Sequence, residues 1–148
     1  DHVIHGGDYV SPFNGKYFGA WSDRFDGVFG NNDGERIGLA KLFSEIGPIH
    51  VGPHPIRIGG RRLLVMHEPA ALDALGRSGD FDVVVYGHTH AVDIRAVKHV
   101  HGDGETLIMN PGESCGWLHG SATAVILDLE TLDYELLDVP TYPGEEKR

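Results

Sequence analysis

The stretch Phe81-Asp82-Val83-Val84-Val85-Tyr86-Gly87-His88-Thr89-His90 decides the fold. Its apolar run is continuous rather than alternating, as expected of a strand buried on both faces. It then breaks into a glycine and two histidines. The same pattern recurs upstream. His2 to His5 reads as a short strand ending in Gly6-Gly7-Asp8, and Phe25 to Phe29 as a strand ending in Gly30-Asn31-Asn32-Asp33-Gly34. Ile56 to Val65 reads as a β-hairpin turning at Gly59-Gly60, two residues suited to positive φ. Its second strand runs out into Met66-His67-Glu68-Pro69. Ser11 to Asp23 is aromatic and mixed, a short helix and loop. Glu35 to Ile46 places Ile37, Leu39, Ala40, Leu42, Phe43 and Ile46 near helical spacing, and Gly47-Pro48 stops it. Pro69 to Ser78 fits a helix with Leu72 and Leu75 inward. Further strands are predicted at Val92–Val97, Thr106–Met109, Ala122–Leu127 and Tyr134–Val139. The first half alternates strand and helix, and the second half is mostly strands. This pattern predicts an α/β domain in which one sheet packs on another with helices outside. One domain is expected over 1–140, followed by a polar tail over 141–148.

Composition narrows the function. At 148 residues, 41% hydrophobic and 23% charged, the chain can fold as one ordinary globular domain without staples. No apolar run approaches the roughly 18 residues of a membrane helix. The lone cysteine, Cys115, excludes an intramolecular disulfide and a cysteine zinc cage, which points to a reducing compartment and a cytoplasmic protein. Cys115 reads as a small buried residue rather than a nucleophile. Twelve basic and 22 acidic residues leave a net charge of −10, so general nucleic-acid binding is not expected. A small anionic substrate would need local compensation, for example from metal ions.

Polar donors recur where strands end, and ligands collect at the carboxyl ends of strands in open α/β sheets. Asp8, Asn31, His67, His88 and His90 could therefore converge on one site. Singly, each has a plainer reading: Gly-Asp and Gly-Asn-Asn-Asp-Gly are turn sequences, and His67 could be a satisfied, half-buried histidine. Gly87-His88-Thr89-His90 is harder to dismiss, because residues at i and i+2 point the same way if strand geometry persists. Mixed carboxylate, amide and imidazole donors without thiolate suit manganese, iron, nickel or zinc. Gly7, Gly30 and Gly87 precede these donors and permit sharp exits and close approach.

Taken in order, Gly7-Asp8, Gly30-Asn31-Asn32-Asp33, a histidine after a strand and Gly87-His88-Thr89-His90 resemble the calcineurin-like metallophosphoesterases, most closely their small single-domain prokaryotic phosphodiesterases. Val3-Ile4-His5-Gly6-Gly7-Asp8 and Asn110-Pro111-Gly112-Glu113 look like that branch, and the likeness runs from residue 2 to about 139. It implies a two-sheet β-sandwich flanked by helices, with two divalent metal ions at the strand ends. Manganese is favoured over nickel, iron or zinc. Asp8 would bridge the ions, Asn31, His67 and His88 would complete one, and His90 would bind the other. Asp8, Asn31 and His88 would carry catalysis. A water ionised between the metals would attack phosphorus in line with the leaving oxygen of a small phosphodiester. Asp33 and His5 could orient ligands through hydrogen bonds, a role no better supported than a structural one. Asn110-Pro111-Gly112 reads first as a strand-ending turn and second as a contact facing the site.

Three departures from the family pattern stand out. The family opens on a strand ending in Asp-x-His, and nothing here matches it. The expectation is a sandwich lacking its N-terminal strand and helix, in a sequence that begins after them. Asn32 stands where many members carry a histidine able to protonate the leaving group, which favours a substrate with a good leaving group. His67 is followed by Glu68-Pro69 where the branch often has Gly-His. Two other readings compete. One is a non-catalytic binding scaffold of the same fold, as in a retromer subunit, with an incomplete metal site. The other is a histidine-rich structural domain. Homo-oligomerisation is left open by the sequence.

Overall fold

The computed structural model describes residues 1–140, and the polar tail expected over 141–148 lies outside them. Strand β1 (Val3–His5) pairs in parallel with β2 (Phe25–Val28), and β2 pairs in parallel with β3 (Ile49–His50). Between β1 and β2 the aromatic segment forms two short 3₁₀ helices, Pro12–Tyr17 and Gly19–Trp21. Helix α1 (Arg36–Phe43) follows β2. The hairpin β4 (His54–Ile58) and β5 (Arg61–Val65) turns at Gly59 and Gly60, with φ of 57° and 81°. Both glycines are left-handed, as a tight hairpin turn with the strands' own twist demands. Helix α2 (Leu72–Ser78) leads to β6 (Val83–Val85). Strands β7 (Val92–Lys98) and β8 (Glu105–Pro111) complete a five-stranded sheet in the order β4-β5-β6-β8-β7. Strands β9 (Ala122–Leu127) and β10 (Tyr134–Val139) form an antiparallel pair.

The alternation of β6 shows how the layers meet. Val83 and Val85 join Val28, Leu63, Val65, Leu107 and Met109 in one core cluster, packed against Ile4 and Val125. Val84 points the other way, among Leu64, Met66, Tyr86 and Ile108, where Leu72 and Leu75 of α2 cover it. A strand with both faces covered can be apolar throughout. On the far side, Leu39 and Phe43 of α1 pack with Tyr9 and Phe25 on the outer face of the three-stranded sheet. The layers are thus helix, sheet, sheet, helix, as the sequence predicts.

The structure differs from expectation in three places. Helix α1 ends at Phe43, short of Ile46. Of its apolar residues only Leu39 and Phe43, one turn apart, are buried, while Ile37 is exposed. Strand β3 is absent from the sequence reading. Cys115 is exposed rather than buried.

Candidate metal centre

Asp8 and Asn31 follow β1 and β2, the parallel strands of one sheet. His67 and His88 follow β5 and β6 of the other. The loops between strand and donor are knitted by Asp33, whose buried carboxylate accepts N–H bonds from Gly30 (2.7 Å), Val10 (2.8 Å) and Asp8 (3.2 Å). One side chain therefore ties the β1 exit to the β2 exit. Gly30 is needed there because a Cβ would strike the Asp8 carboxylate. Asp8, Val10, His88 and His90 all adopt left-handed backbone, with φ of 61°, 66°, 67° and 60°. Such conformations are costly for residues with a Cβ, most of all for a β-branched valine.

Four predicted donors meet. Asn31 Oδ1 lies 2.8 Å from His67 Nε2 and 2.9 Å from His88 Nδ1, and the two ring nitrogens are 3.3 Å apart. Asp8 Oδ2 stands 3.5 Å from His67 Nε2. His67 is buried, while Asn31 and His88 are exposed, so the cluster opens to solvent on one side.

The hydrogen bonds fix what this cluster lacks. His67 Nδ1 donates to the Gly6 carbonyl at 2.7 Å. In the neutral ring, Nε2 then carries a lone pair, and it faces the Asn31 carbonyl oxygen, which also carries lone pairs. A proton on His88 Nδ1 could serve only one of them. Lone pairs outnumber protons at the centre, an arrangement that a cation completes. Among the described residues no three histidine, cysteine, aspartate or glutamate side chains form a ready cation cage. The Asn31 carboxamide is the shared partner of both rings. Oxygen and nitrogen donors of this kind fit a divalent ion of the manganese-to-zinc series.

Asp8 is clamped: Asn32 donates to it from its backbone N–H (2.9 Å) and from its carboxamide (2.8 Å). Asn32 thus orients the Asp8 carboxylate. His5 lies beneath the cluster, stacked on Tyr9 with ring centroids 4.2 Å apart and accepting the Gly7 N–H at 3.1 Å. Burial pushes its pKa down to about 4 against the opposing pull of the Asp33 and Asp8 carboxylates. Asn110 is fully buried and donates to the Gly87 carbonyl (3.0 Å) and Thr89 Oγ1 (2.9 Å), bracing the histidine loop.

His90 has a partner of its own. No hydrogen bond or ion pair among the described residues links it to Asp8, Asn31, His67 or His88. Its Nδ1 lies 2.8 Å from Glu113 Oε2. The i, i+2 expectation fails because the strand ends at Val85. His88 and His90 sit in left-handed turns, where period two no longer applies. Glu113, which the sequence reading takes only as the end of the Asn110-Pro111-Gly112-Glu113 motif and gives no role, is that partner. Its side chain is 3% exposed. Burial pushes its pKa up, but hydrogen bonds from the His119 N–H, His90 and the Leu118 N–H outweigh it and hold the carboxyl at about 2. Its sequence signals were its place in that motif and an acidic side chain in a turn after an apolar strand.

Two sheets packed face to face between helices, with oxygen and imidazole donors gathered at the strand ends, define a metallophosphoesterase. Residues 1–132 match the calcineurin-like phosphoesterase superfamily domain, and the chain belongs to that family. It is 36% identical over 136 residues to phosphodiesterase MJ0936 of Methanocaldococcus jannaschii, covering 89% of this chain and 78% of that protein. It also superposes on the solved structure of an archaeal phosphodiesterase with a TM-score of 0.83 and 34% identity, over 94% of this chain and 83% of the other. The family implies bound divalent metal ions. Among the described residues no helix is long and apolar enough to cross a membrane.

Proposed function

We propose that the protein is a metal-dependent phosphodiesterase acting on a small phosphodiester, with residues 1–140 as its single domain. Asn31, His67 and His88, whose Oδ1, Nε2 and Nδ1 face one another, would hold one divalent ion. Asp8 would be shared with a second ion, toward which His90 would serve as a donor. Manganese is the favoured metal. Bound there, the ions supply charge compensation for the phosphate oxygens and an acidified water for in-line attack on phosphorus. Compensation matters in a chain of net charge −10, which would otherwise repel an anionic substrate.

The remaining chemistry falls to the chain's own groups. Asn32 holds both oxygens of Asp8, and Gly6 sets the tautomer of His67. The Asn32 carboxamide is not an acid that can protonate a leaving group, which favours a diester with a good leaving group, such as an aryl ester. A cytoplasmic setting accords with the single cysteine. The acidic surface disfavours general nucleic-acid partners.

One observation carries this reading: the lone-pair cluster of Asn31, His67 and His88, closed by the Gly6 bond to His67. The scaffold alternative supposes a decayed donor set, yet Asp8, Asn31, His67 and His88 lie together. The test is hydrolysis of bis(4-nitrophenyl) phosphate with manganese. Chelation with EDTA should abolish the rate, and His88→Ala should remove at least most of it. An equal rate in EDTA, or an unaffected His88→Ala variant, refutes the proposal.

A further inference from the structure

We infer that Glu113 is a positioning residue for the second cation. It holds His90 as the Nδ1–H tautomer and so presents the Nε2 lone pair to a divalent ion. This rests on the phosphodiesterase reading above, which gives His90 to that ion.

The geometry is that of a carboxylate buttressing a ligating imidazole. A carboxylate can only accept, so the 2.8 Å contact puts the His90 proton on Nδ1 and leaves Nε2 bare. Glu113 is itself held in place. Its Oε1 accepts the His119 N–H at 2.6 Å, and its Oε2 also accepts the Leu118 N–H at 3.1 Å. The Cys115 thiol lies 3.8 Å from Oε2. From the main chain, the Glu113 carbonyl accepts the Thr123 N–H of β9 at 2.8 Å. Rotating the Glu113 side chain away from His90 would break the bonds to Leu118 and His119 together. On the partner side, His90 sits at a φ of 60°, left-handed backbone that is uncommon outside glycine. Three residues earlier on the same segment, Asn110 braces Gly87 and Thr89. The end of β8 and the turn after it thus support the histidine loop at two points, one through an amide and one through a carboxylate.

The bonds to Leu118 and His119 fix the carboxylate within its own turn. The added contact with His90 is what a ligand support requires. Carboxylate support also raises the basicity of the bare nitrogen, and loss of such a partner typically lowers metal affinity or activity by roughly 10–100-fold.

The test uses the metal-free protein and zinc alone as the probe. Long-range ¹H–¹⁵N spectra should place His90 in the Nδ1–H form in the parent. They should show it moving toward the Nε2–H form in Glu113→Gln, which keeps the side-chain volume. Zinc titration by calorimetry should show Glu113→Gln weakening one of two sites by roughly 10–100-fold, with the other unchanged. His90→Ala should remove the same site while leaving the Glu113 bonds to Leu118 and His119 intact. Adding Glu113→Gln to His90→Ala should then have no further effect on zinc binding, whereas a merely structural role gives independent losses. A parent His90 in the Nε2–H form, unchanged zinc affinities in Glu113→Gln, or additive losses overturns the inference. A parent that binds no zinc removes the phosphodiesterase reading, and this role with it. A parent that binds two zinc ions while Glu113→Gln does the same removes this role alone.

Discussion

Acidification should destabilise the metal-free protein through His5 in particular. Its ring is half-buried, stacked on Tyr9 and edge-on to Phe18 with centroids 5.5 Å apart, and it accepts the Gly7 N–H on Nδ1. A proton on Nδ1 would break that bond and place a charge among aromatic rings. The folded pKa is about 4 against 6.5 for an unperturbed histidine. Above pH 6.5 both states are neutral at His5 and the full stability is present. As pH falls from 6.5 toward 4, the unfolded chain takes up a proton that the folded chain refuses, so stability declines. Below pH 4 both states are protonated and the loss is complete. At roughly 1.36 kcal/mol per pH unit, the interval is worth up to about 3 kcal/mol. His5→Gln keeps an acceptor but cannot titrate. Urea unfolding should be measured between pH 7 and 4 in EDTA, since metal release would add its own pH dependence. The parent should lose up to about 3 kcal/mol more than His5→Gln across that window. Other histidines contribute equally to both proteins and cancel in the difference. Parallel stability curves would refute the assignment, as would a His5 ring that titrates near pH 6.5 in the folded protein by NMR.

Two further outcomes follow from the packing. The Tyr9 hydroxyl is buried without a hydrogen-bond partner among the described residues, so Tyr9→Phe removes an unpaired polar group and should raise stability by about 1 kcal/mol. A thermal melt of the pair checks it, and a lower midpoint for the variant would count against it. Gly30→Ala would drive a Cβ into the Asp8 carboxylate and main chain. It should cost about 1–3 kcal/mol of stability and weaken zinc binding in calorimetry, and a variant with parental zinc affinity would show that the loop yields there without moving Asp8.

The sequence is legible wherever local pattern decides the outcome. Three consecutive valines with both faces covered make β6 the inner strand, and Gly59-Gly60 sets the hairpin register at Ile58 opposite Arg61. Strand β3 is illegible for the opposite reason. Ile49 and His50 are only two residues between Gly47-Pro48 and Gly52-Pro53, and they are extended because β2 offers Gly27 and Val28 to pair with. The site divides along the same line. Its donors announce themselves at strand ends, but their relations depend on partners far apart in sequence. His67 reaches back to Gly6 and Asn31, and Glu113 reaches back to His90. Local periodicity carries no information across such distances. It also misleads when carried past the end of an element, as at His88 and His90, where left-handed turns aim one ring at Asn31 and the other at Glu113. An acidic residue in a turn is therefore a ligand's support or a solvated surface group according to what the fold brings against it. For Glu113 the fold brings the Nδ1–H of one histidine and two backbone N–H groups, and that conjunction assigns its role.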